Sequence, residues 1–430
     1  MSSTVRRCAD TGSGRRGLLA VLAGNMLIDA LEVSTQVVAL PTVRAELGLS
    51  LIVAQWMMTG FAVGFGGFLL VGTRLLAGVG RRRAYLAGLL IFAVASLVAG
   101  LTDDVAVLIA IRIVKGCCVA LTAATGLAII TGGFPPGPAR NRAVSVYTMF
   151  GASGFAAGLL LSGLLTPIDW HLTMAFPGPV VLILFAVGLR LIPDTEPPAG
   201  HRPGEVATVL RSGPFIRSAL GAAALNGSYL GLLFVATFQL QSLPGWTPFR
   251  TALAFLGASV PLAGTALHSG RMVSRFGAPR LIAGGALSAL AGYLLYPHRD
   301  VPASYVTDVL PTMLLVGVGF VLAFTALNMQ AVTGVAASAR GAVVGAFQAA
   351  VQAGAAVLIF LVAALSTAHG SAGETFRPAL WLVTAVGGFG LLVAVSGVLP
   401  KRSRAESRES SGGRADVRSE TDALRGHHRR

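Results

Sequence analysis

The chain has 430 residues, of which 54% are hydrophobic and only 12% are charged. Soluble domains carry roughly a quarter charged residues, so this composition excludes a large soluble protein and is typical of packed membrane helices. The net charge of +15 does not indicate a nucleic-acid surface, because most Lys and Arg residues fall in the termini and in alternate loops between apolar runs.

Apolar runs near the ~20 residues that span a bilayer predict an all-α membrane protein with twelve transmembrane helices. The first six are expected at about 18–41, 51–73, 84–102, 106–131, 144–166 and 173–193. The second six are expected at about 215–241, 250–268, 280–296, 305–332, 341–366 and 377–399. The predicted domains are an N-terminal tail (1–17), a six-helix half (18–193), a polar linker (194–214), a second six-helix half (215–400) and a basic, disordered tail (401–430).

The first apolar run contains two acids, Asp29 and Glu32, one helical turn apart. A charge at the bilayer centre costs roughly 2.5–3.5 kcal/mol on insertion scales, so both acids need a reason to be there. Arg112 and Lys115 repeat the spacing in the fourth run, and we expect the two helices to face each other so that the charges partly cancel. Two interpretations stay open: a static ion-pair lock, or a carboxylate that exchanges a proton in the working cycle.

A twelve-residue loop occurs twice, at Gly72–Arg83 and at Ser269–Arg280, each time between two apolar runs. At one constant offset the copies pair Arg74 with Arg271, Gly80 with Gly277 and Arg83 with Arg280. The repeat indicates two related, pseudo-symmetric halves. Because short loops rich in Arg stay inside the cell, it also predicts that these loops and both chain termini are cytoplasmic.

This loop resembles the signature loop of the major facilitator superfamily. The resemblance implies a gating role for Gly72, Arg74, Gly80, Arg81, Arg83, Gly277 and Arg280. The acid that the family's loop holds three residues before its second Gly is replaced by Ala77 and by Ser274. The resemblance implies a transporter whose site lies between two parallel halves. The missing acids imply a conformational balance that differs from the family's.

Motifs in the first and fourth spans resemble those of multidrug/proton antiporters of the EmrB/QacA kind, a branch that usually has fourteen spans. Within Leu31–Pro41, Glu32 takes the position of the motif's Asp, and Asp29 is an additional acid. Within Arg112–Gly116, Arg112 takes the position of the Arg that is linked to proton relay. The resemblance implies that Glu32, with Asp29, binds a proton and that Arg112 tunes this binding.

The fifth span resembles the glycine-rich motif that marks exporters within the superfamily. The matching positions are Gly151, Gly154, Gly158 and Gly163. The motif is eroded, because Leu159 replaces its Pro and Ser162 replaces one Gly. The alternative reading of these glycines is close helix packing, independent of the direction of transport.

Polar and aromatic side chains within the predicted spans are candidates for a substrate cavity. They are Gln36, Phe61, Tyr147, Asn226, Tyr229, Gln239, Asn328, Gln348, Gln352 and Trp381. The alternative for each is an interhelical hydrogen bond or a packing role. Together they describe a mostly apolar cavity with scattered amides, which favours a small lipophilic or amphipathic substrate over a sugar or a highly charged solute.

The sequence holds no phosphate-binding Gly-rich loop with Lys, and its seven His are scattered, so neither an enzyme nor a metal site is predicted. We expect a monomeric transporter in the plasma (inner) membrane that needs no cofactor beyond the proton gradient. Its partners are a small lipophilic molecule, protons and the lipid bilayer, and not nucleic acid. Proton-coupled efflux by alternating access is favoured. A proton-coupled importer and a non-transporting, substrate-sensing relative remain as alternatives.

Overall fold

The computed structural model describes residues 12–135, 137–194, 203–243, 245–265, 269–298, 304–368 and 375–398. The predicted tail at 401–430, most of the tail at 1–17 and part of the linker lie outside these residues.

Among the residues that the structure describes, eight helices form the first half. They are α1 (Gly12–Glu46), α2 (Leu51–Ala54), α3 (Trp56–Val79), α4 (Arg81–Ala99), α5 (Val105–Gly133), α6 (Pro138–Leu165), α7 (Trp170–Ala175) and α8 (Pro177–Leu191). The second predicted span is divided into α2 and α3, and the sixth into α7 and α8. The second division falls directly before Pro177, whose ring and missing N–H interrupt helical hydrogen bonding.

A short helix in the predicted linker, α9 (Pro203–Leu210), precedes the second half. The remaining helices are α10 (Gly213–Gln241), α11 (Pro248–Thr265), α12 (Ser269–Phe276), α13 (Ala278–Leu295), α14 (Leu310–Ala331), α15 (Ala337–Thr367) and α16 (Arg377–Ser396). A π-helical turn, Tyr305–Val309, leads directly into α14.

Within the described residues, eleven helical segments are long and apolar enough to cross a membrane. The helix α11 occupies the position of the eighth predicted span but is not among them. It has 18 residues, as α13 does, but it includes Arg250 and Pro261, which lower its apolar content. The helical, multi-span architecture is therefore as predicted, with eleven rather than twelve helices meeting the length and composition of a span.

The repeated loop forms the same turn twice. Gly80 joins α3 to α4 with φ 81° and ψ 146°, and Gly277 joins α12 to α13 with φ 79° and ψ 145°. Positive φ values of this kind strain any residue with a Cβ, so glycine is required at both positions. The matched angles give the sequence repeat a structural counterpart.

The two halves repeat one packing scheme. In the first half α1 packs against α6 and α3 packs against α5; in the second, α10 packs against α15 and α11 packs against α14. The halves meet where α3 contacts α15 and where α6 contacts α11. At one end of this interface the Gln241 side-chain amide donates to the Val38 carbonyl at 2.9 Å, which ties α10 to α1.

Close packing of α1 on α6 depends on glycine. A Cβ at Gly158 would meet the Ser34 hydroxyl and the Leu31 backbone, and one at Gly154 would meet the Leu27 carbonyl. Small residues at such crossings let helix backbones approach without a driving force from water. Two of the glycines in the eroded exporter motif therefore set the distance between the first and fifth spans.

Replacing Gly158 by Ala is expected to lower the melting temperature of the purified protein, because overpacking a close contact costs about 1–3 kcal/mol. The matched control is Gly284→Ala in α13, where a Cβ would meet nothing within 4 Å. That substitution should leave the melting temperature unchanged or raise it slightly, since Ala favours helix by up to about 1 kcal/mol over Gly. Equal melting temperatures for both variants would contradict the packing role of Gly158.

Candidate functional site

A buried polar stripe runs along one face of α1. Asn25, Asp29, Glu32 and Gln36 follow one another at helical spacing, and all are at most 4% exposed. A polar side chain in a membrane interior needs a hydrogen-bonding or charged partner, because lipid supplies none. The partners of this stripe therefore define a candidate site.

Glu32 lies at the centre of a charge cluster between α1 and α5. Its Oε1 atom accepts from the Arg112 guanidinium, and the Lys115 ammonium lies 2.8 Å from the same oxygen. Arg112 also donates through Nε to the Met57 carbonyl on α3 at 2.6 Å. All three charged residues are at most 2% exposed. The expectation that the first and fourth spans face each other through these charges is confirmed.

Aromatic rings complete the environment of the two cations. The Arg112 guanidinium lies 4.8 Å from the centre of the Phe61 ring, and the Lys115 ammonium lies 4.9 Å from the centre of the Phe92 ring. The negative face of an aromatic ring attracts a cation, and the effect grows when water is excluded. The rings of α3 and α4 therefore stabilise charges that Glu32 alone balances only in part.

Asp29 has a different environment from Glu32. Its Oδ2 atom accepts from the Asn25 amide and from the Thr122 hydroxyl, both at 2.9 Å. Both donors are neutral. With both acids ionised, the charges of Asp29, Glu32, Arg112 and Lys115 sum to zero, so Asp29 balances the cluster without touching a cation.

A cavity of about 220 Å³ lies between the two halves. Its walls come from α1 and α6 of the first half and from α10, α11, α14 and α15 of the second. Its polar and aromatic lining consists of Phe155, Asn226, Tyr229, Ser259, Phe320 and Gln352, and the other lining residues are small or aliphatic. Ligand pockets in proteins hold roughly 300–1,000 Å³, so this cavity is smaller than a typical pocket for a drug-sized ligand.

The structure places three of the ten predicted cavity residues in this cavity: Asn226, Tyr229 and Gln352. The Asn226 amide also donates to the Val351 carbonyl at 3.2 Å, which fixes its orientation. Their roles in binding a substrate stay predictions.

The other predicted cavity residues lie elsewhere. Gln36, Phe61 and Tyr147 are buried inside the first half, where the Gln36 amide donates to the Met174 sulfur at 3.1 Å. Gln239 is buried in the second half and accepts from the Tyr296 hydroxyl at 2.7 Å. Two more, Asn328 and Gln348, are half-buried and are not among the lining residues.

Trp381 is not at the cavity either. It is 50% exposed at the start of α16, and its ring stacks on His298 with 4.0 Å between ring centres. Burial lowers the pKa of His298, which lies between α13 and the π-helical turn, and a ring nitrogen of this imidazole lies 3.0 Å from the Thr384 hydroxyl. The stacked pair of Trp381 and His298 thus holds the start of α16. In the sequence, a tryptophan within an apolar run does not distinguish this packing role from a role in a cavity.

The signature-loop residues surround the two glycine turns described above. Gly72 is buried, Arg81 is half-buried, and Arg83 and Arg280 are exposed. The side chains of Arg74, Arg271, Ala77 and Ser274 lie outside the part of the chain that the structure describes. An unpredicted contact involves Arg82, whose guanidinium lies 3.3 Å from the Asp194 carboxylate and donates to the Leu189 carbonyl at 2.7 Å.

The remaining exporter-motif glycines also sit at helix contacts. A Cβ at Gly151 would meet Met26 of α1, and one at Gly163 would meet Phe249 and Ala252 of α11. Gly163 therefore lies at the contact between the two halves. A role of these glycines in the direction of transport stays a prediction.

Sequence reasoning missed seven residues that contribute a polar group or a ring to the site. They are Asn25, Met57, Phe92, Thr122, Phe155, Ser259 and Phe320. The position of Asn25, four residues before Asp29, was a usable signal because side chains at that spacing share a helix face. No local pattern marks the others, since their neighbours across the site come from distant parts of the chain.

Comparison with known proteins gives a family match and several relatives. The model of the Major Facilitator Superfamily matches residues 22–359. The puromycin resistance protein pur8 of Streptomyces alboniger is 29% identical over 82% of this chain and 81% of its own length. The cephamycin export protein CmcT of Amycolatopsis lactamdurans is 29% identical over 68% of this chain and 58% of its own length.

Among solved structures, the nucleoside transporter NupG is similar in fold, with a TM-score of 0.66 and 14% sequence identity. The match covers 89% of this chain and 98% of that one. At this identity the likeness concerns the fold alone.

Glu32→Gln is expected to destabilise the protein by about 3–5 kcal/mol, because removing one partner of a buried ion pair leaves the other charges uncompensated. The matched control is Glu46→Gln at the exposed end of the same helix, where a change within about 0.5 kcal/mol is expected. Thermal unfolding of both variants in detergent, followed by circular dichroism, measures the difference. If the Glu32→Gln variant has the same melting temperature as the wild type, Arg112 and Lys115 do not need Glu32 as a stabilising partner.

Proposed function

This chain belongs to the Major Facilitator Superfamily, and we propose that within it the protein is a proton-coupled exporter of small lipophilic compounds in the plasma membrane. Membership makes it a multi-pass membrane transporter and not an enzyme. The substrate class, the direction of transport and the use of protons are the content of the proposal.

The observation that carries the proposal is the placement of α1. One face of this helix holds the acids Asp29 and Glu32 against α5, and the adjacent face contributes Ala30 and Val33 to the apolar cavity. Protonation of an acid on α1 can therefore shift the wall of the cavity. A single helix that touches both sites is a physical route by which proton binding and substrate binding influence each other.

Names of the relatives support export over import. One relative is a puromycin resistance protein and another is a cephamycin export protein. A transporter gives resistance to a compound by removing it from the cell, so we assign outward transport to this chain. The mostly apolar lining of the cavity favours lipophilic compounds as substrates.

The two acids have different roles in the proposed cycle. A proton on Glu32 would leave the buried cations of Arg112 and Lys115 without a carboxylate, which is costly at bilayer depth. A proton on Asp29 breaks no ion pair, and because both of its donors contact Oδ2, the proton can reside on Oδ1. We therefore assign proton exchange to Asp29 in this conformation, with Glu32 and Arg112 holding the electrostatic balance.

Rocking of the two halves is the proposed means of alternating access. The contacts that must break on one face are those near Gln241 and Val38, where α10 meets α1. We place the loops around Arg81–Arg83 and Arg280, with both termini, in the cytoplasm, because Arg-rich short loops stay inside.

Asp29→Asn is expected to separate transport from the proton gradient. Asn resembles protonated Asp in size but cannot release and rebind a proton. The protein should therefore fold and should still exchange substrate across the liposome membrane. Uptake driven by an imposed pH gradient should fall at least about tenfold, which corresponds to the loss of about 1.4 kcal/mol of coupling. Parallel measurements of counterflow and gradient-driven transport in proteoliposomes make the comparison.

The matched control for this measurement is Asp103→Asn, an exposed acid whose side chain is 72% accessible. Gradient-driven transport by Asp29→Asn at the level of this control would remove Asp29 from the mechanism. Absence of both counterflow and gradient-driven flux in the wild type, for compounds to which the protein gives resistance in a pump-deleted host, would instead favour a non-transporting, substrate-sensing protein.

A further inference from the structure

The cavity between the halves is uncharged on every described wall. None of the described residues that line it carries a charge at neutral pH. The nearest acids along the chain, Asp29 and Glu32, both accept from side chains of α5, a helix that contributes nothing to the described lining. Since consecutive residues of a helix point about 100° apart, Ala30 and Val33 face the cavity while the acids face the interior of the first half.

Three aromatic rings from three helices line one side of the cavity. The Tyr229 ring of α10 lies 6.1 Å from Phe155 of α6 and 5.1 Å from Phe320 of α14, measured between ring centres. Rings at such distances and at tilted angles offer both faces and edges to a flat ligand. This geometry suits stacking against an aromatic molecule.

One hydroxyl at the cavity is unsatisfied. The Ser259 Oγ atom has no hydrogen-bond partner among the described residues, although the side chain is only 9% exposed. A buried hydroxyl without a partner is costly. Its oxygen is closed off from the cavity in this structure, but rotation of the Ser259 side chain about χ1 to another staggered position would turn it toward the cavity, where a ligand acceptor would remove the cost. Ser259 is therefore the second, independent feature that indicates a ligand.

We propose that the cavity binds uncharged, flat aromatic compounds that carry a hydrogen-bond acceptor, and that it discriminates against permanent cations. The inference rests on the proposed export function for its biological meaning, but binding is measured without transport. An unpaired cation in this cavity loses its hydration and gains no carboxylate, and the attraction of aromatic rings is smaller than that loss. A cavity of about 220 Å³ has room for a ligand of one or two fused rings, since an apolar cavity of about 150 Å³ is enough for benzene.

Quinoline and 1-methylquinolinium form a matched probe pair, because they share two fused rings and differ by a methyl group and one positive charge. Calorimetric titration of the purified, full-length protein in detergent near neutral pH gives both affinities. Quinoline should bind at least about tenfold more tightly than 1-methylquinolinium. Equal affinities, tighter binding of the cation, or no binding of quinoline would overturn the proposal.

Gln352→Glu tests the cause of this discrimination, since it adds a carboxylate to the cavity at almost constant shape. It should remove the preference for quinoline, a change of at least about tenfold in the affinity ratio. The matched control is Gln348→Glu, one turn earlier on α15 and not among the lining residues, which should keep the wild-type ratio. If Gln352→Glu does not fold, Asn226→Asp adds the same charge from α10. An unchanged ratio in a folded variant would overturn the proposal.

Ser259→Ala tests the hydrogen bond. It should weaken quinoline binding by about threefold or more, because a net hydrogen bond contributes roughly 1 kcal/mol, and leave 1-methylquinolinium unchanged since that ring nitrogen is blocked. Equal effects on both probes would exclude the assigned donor. Binding that follows this pattern together with absent flux would contradict the export function and leave the binding site standing.

Discussion

Charge neutralisation inside the first half is the constraint on which the rest of the molecule depends. Glu32, Arg112 and Lys115 are buried at the depth of the bilayer, where an isolated charge is costly. Their mutual contacts fix α1 against α5, and the Met57 carbonyl that accepts from Arg112 adds α3 to the same unit. When ionised, Asp29 balances the remaining positive charge of the cluster, and its hydrogen bonds come from neutral donors. One carboxylate of the cluster is therefore not paired with a cation.

Close packing at glycine connects α1, which holds the acids of the charge cluster, to α6 at the wall of the cavity. Because Gly154 and Gly158 allow α1 to lie close on α6, the helix that holds the acids belongs to a helix pair that forms two walls of the cavity. Gly163 continues this contact line to α11 in the second half. In the proposed cycle, proton and substrate would therefore bind at different faces of one helix and would not compete for one carboxylate.

The missing acids of the signature loop have a limited structural consequence. The two turns at Gly80 and Gly277 have the same backbone angles within a few degrees, so the repeat does not need those acids to form. A basic residue of the first loop finds an acid elsewhere, since Arg82 contacts Asp194 after α8. This contact ties the start of the third span to the end of the sixth within one half.

The sequence by itself determined the helical membrane fold, the two related halves and the meeting of the first and fourth spans, because hydropathy, a repeated loop and buried opposite charges are local or nearly local signals. It did not determine which polar residues share a cavity. Asn226, Tyr229 and Gln352 meet there while Gln239 and Trp381 do not, although all five are polar or aromatic residues in apolar runs. Only the tertiary structure decided this, because the cavity is formed between six helices whose rotation and contact partners are set by packing across the two halves.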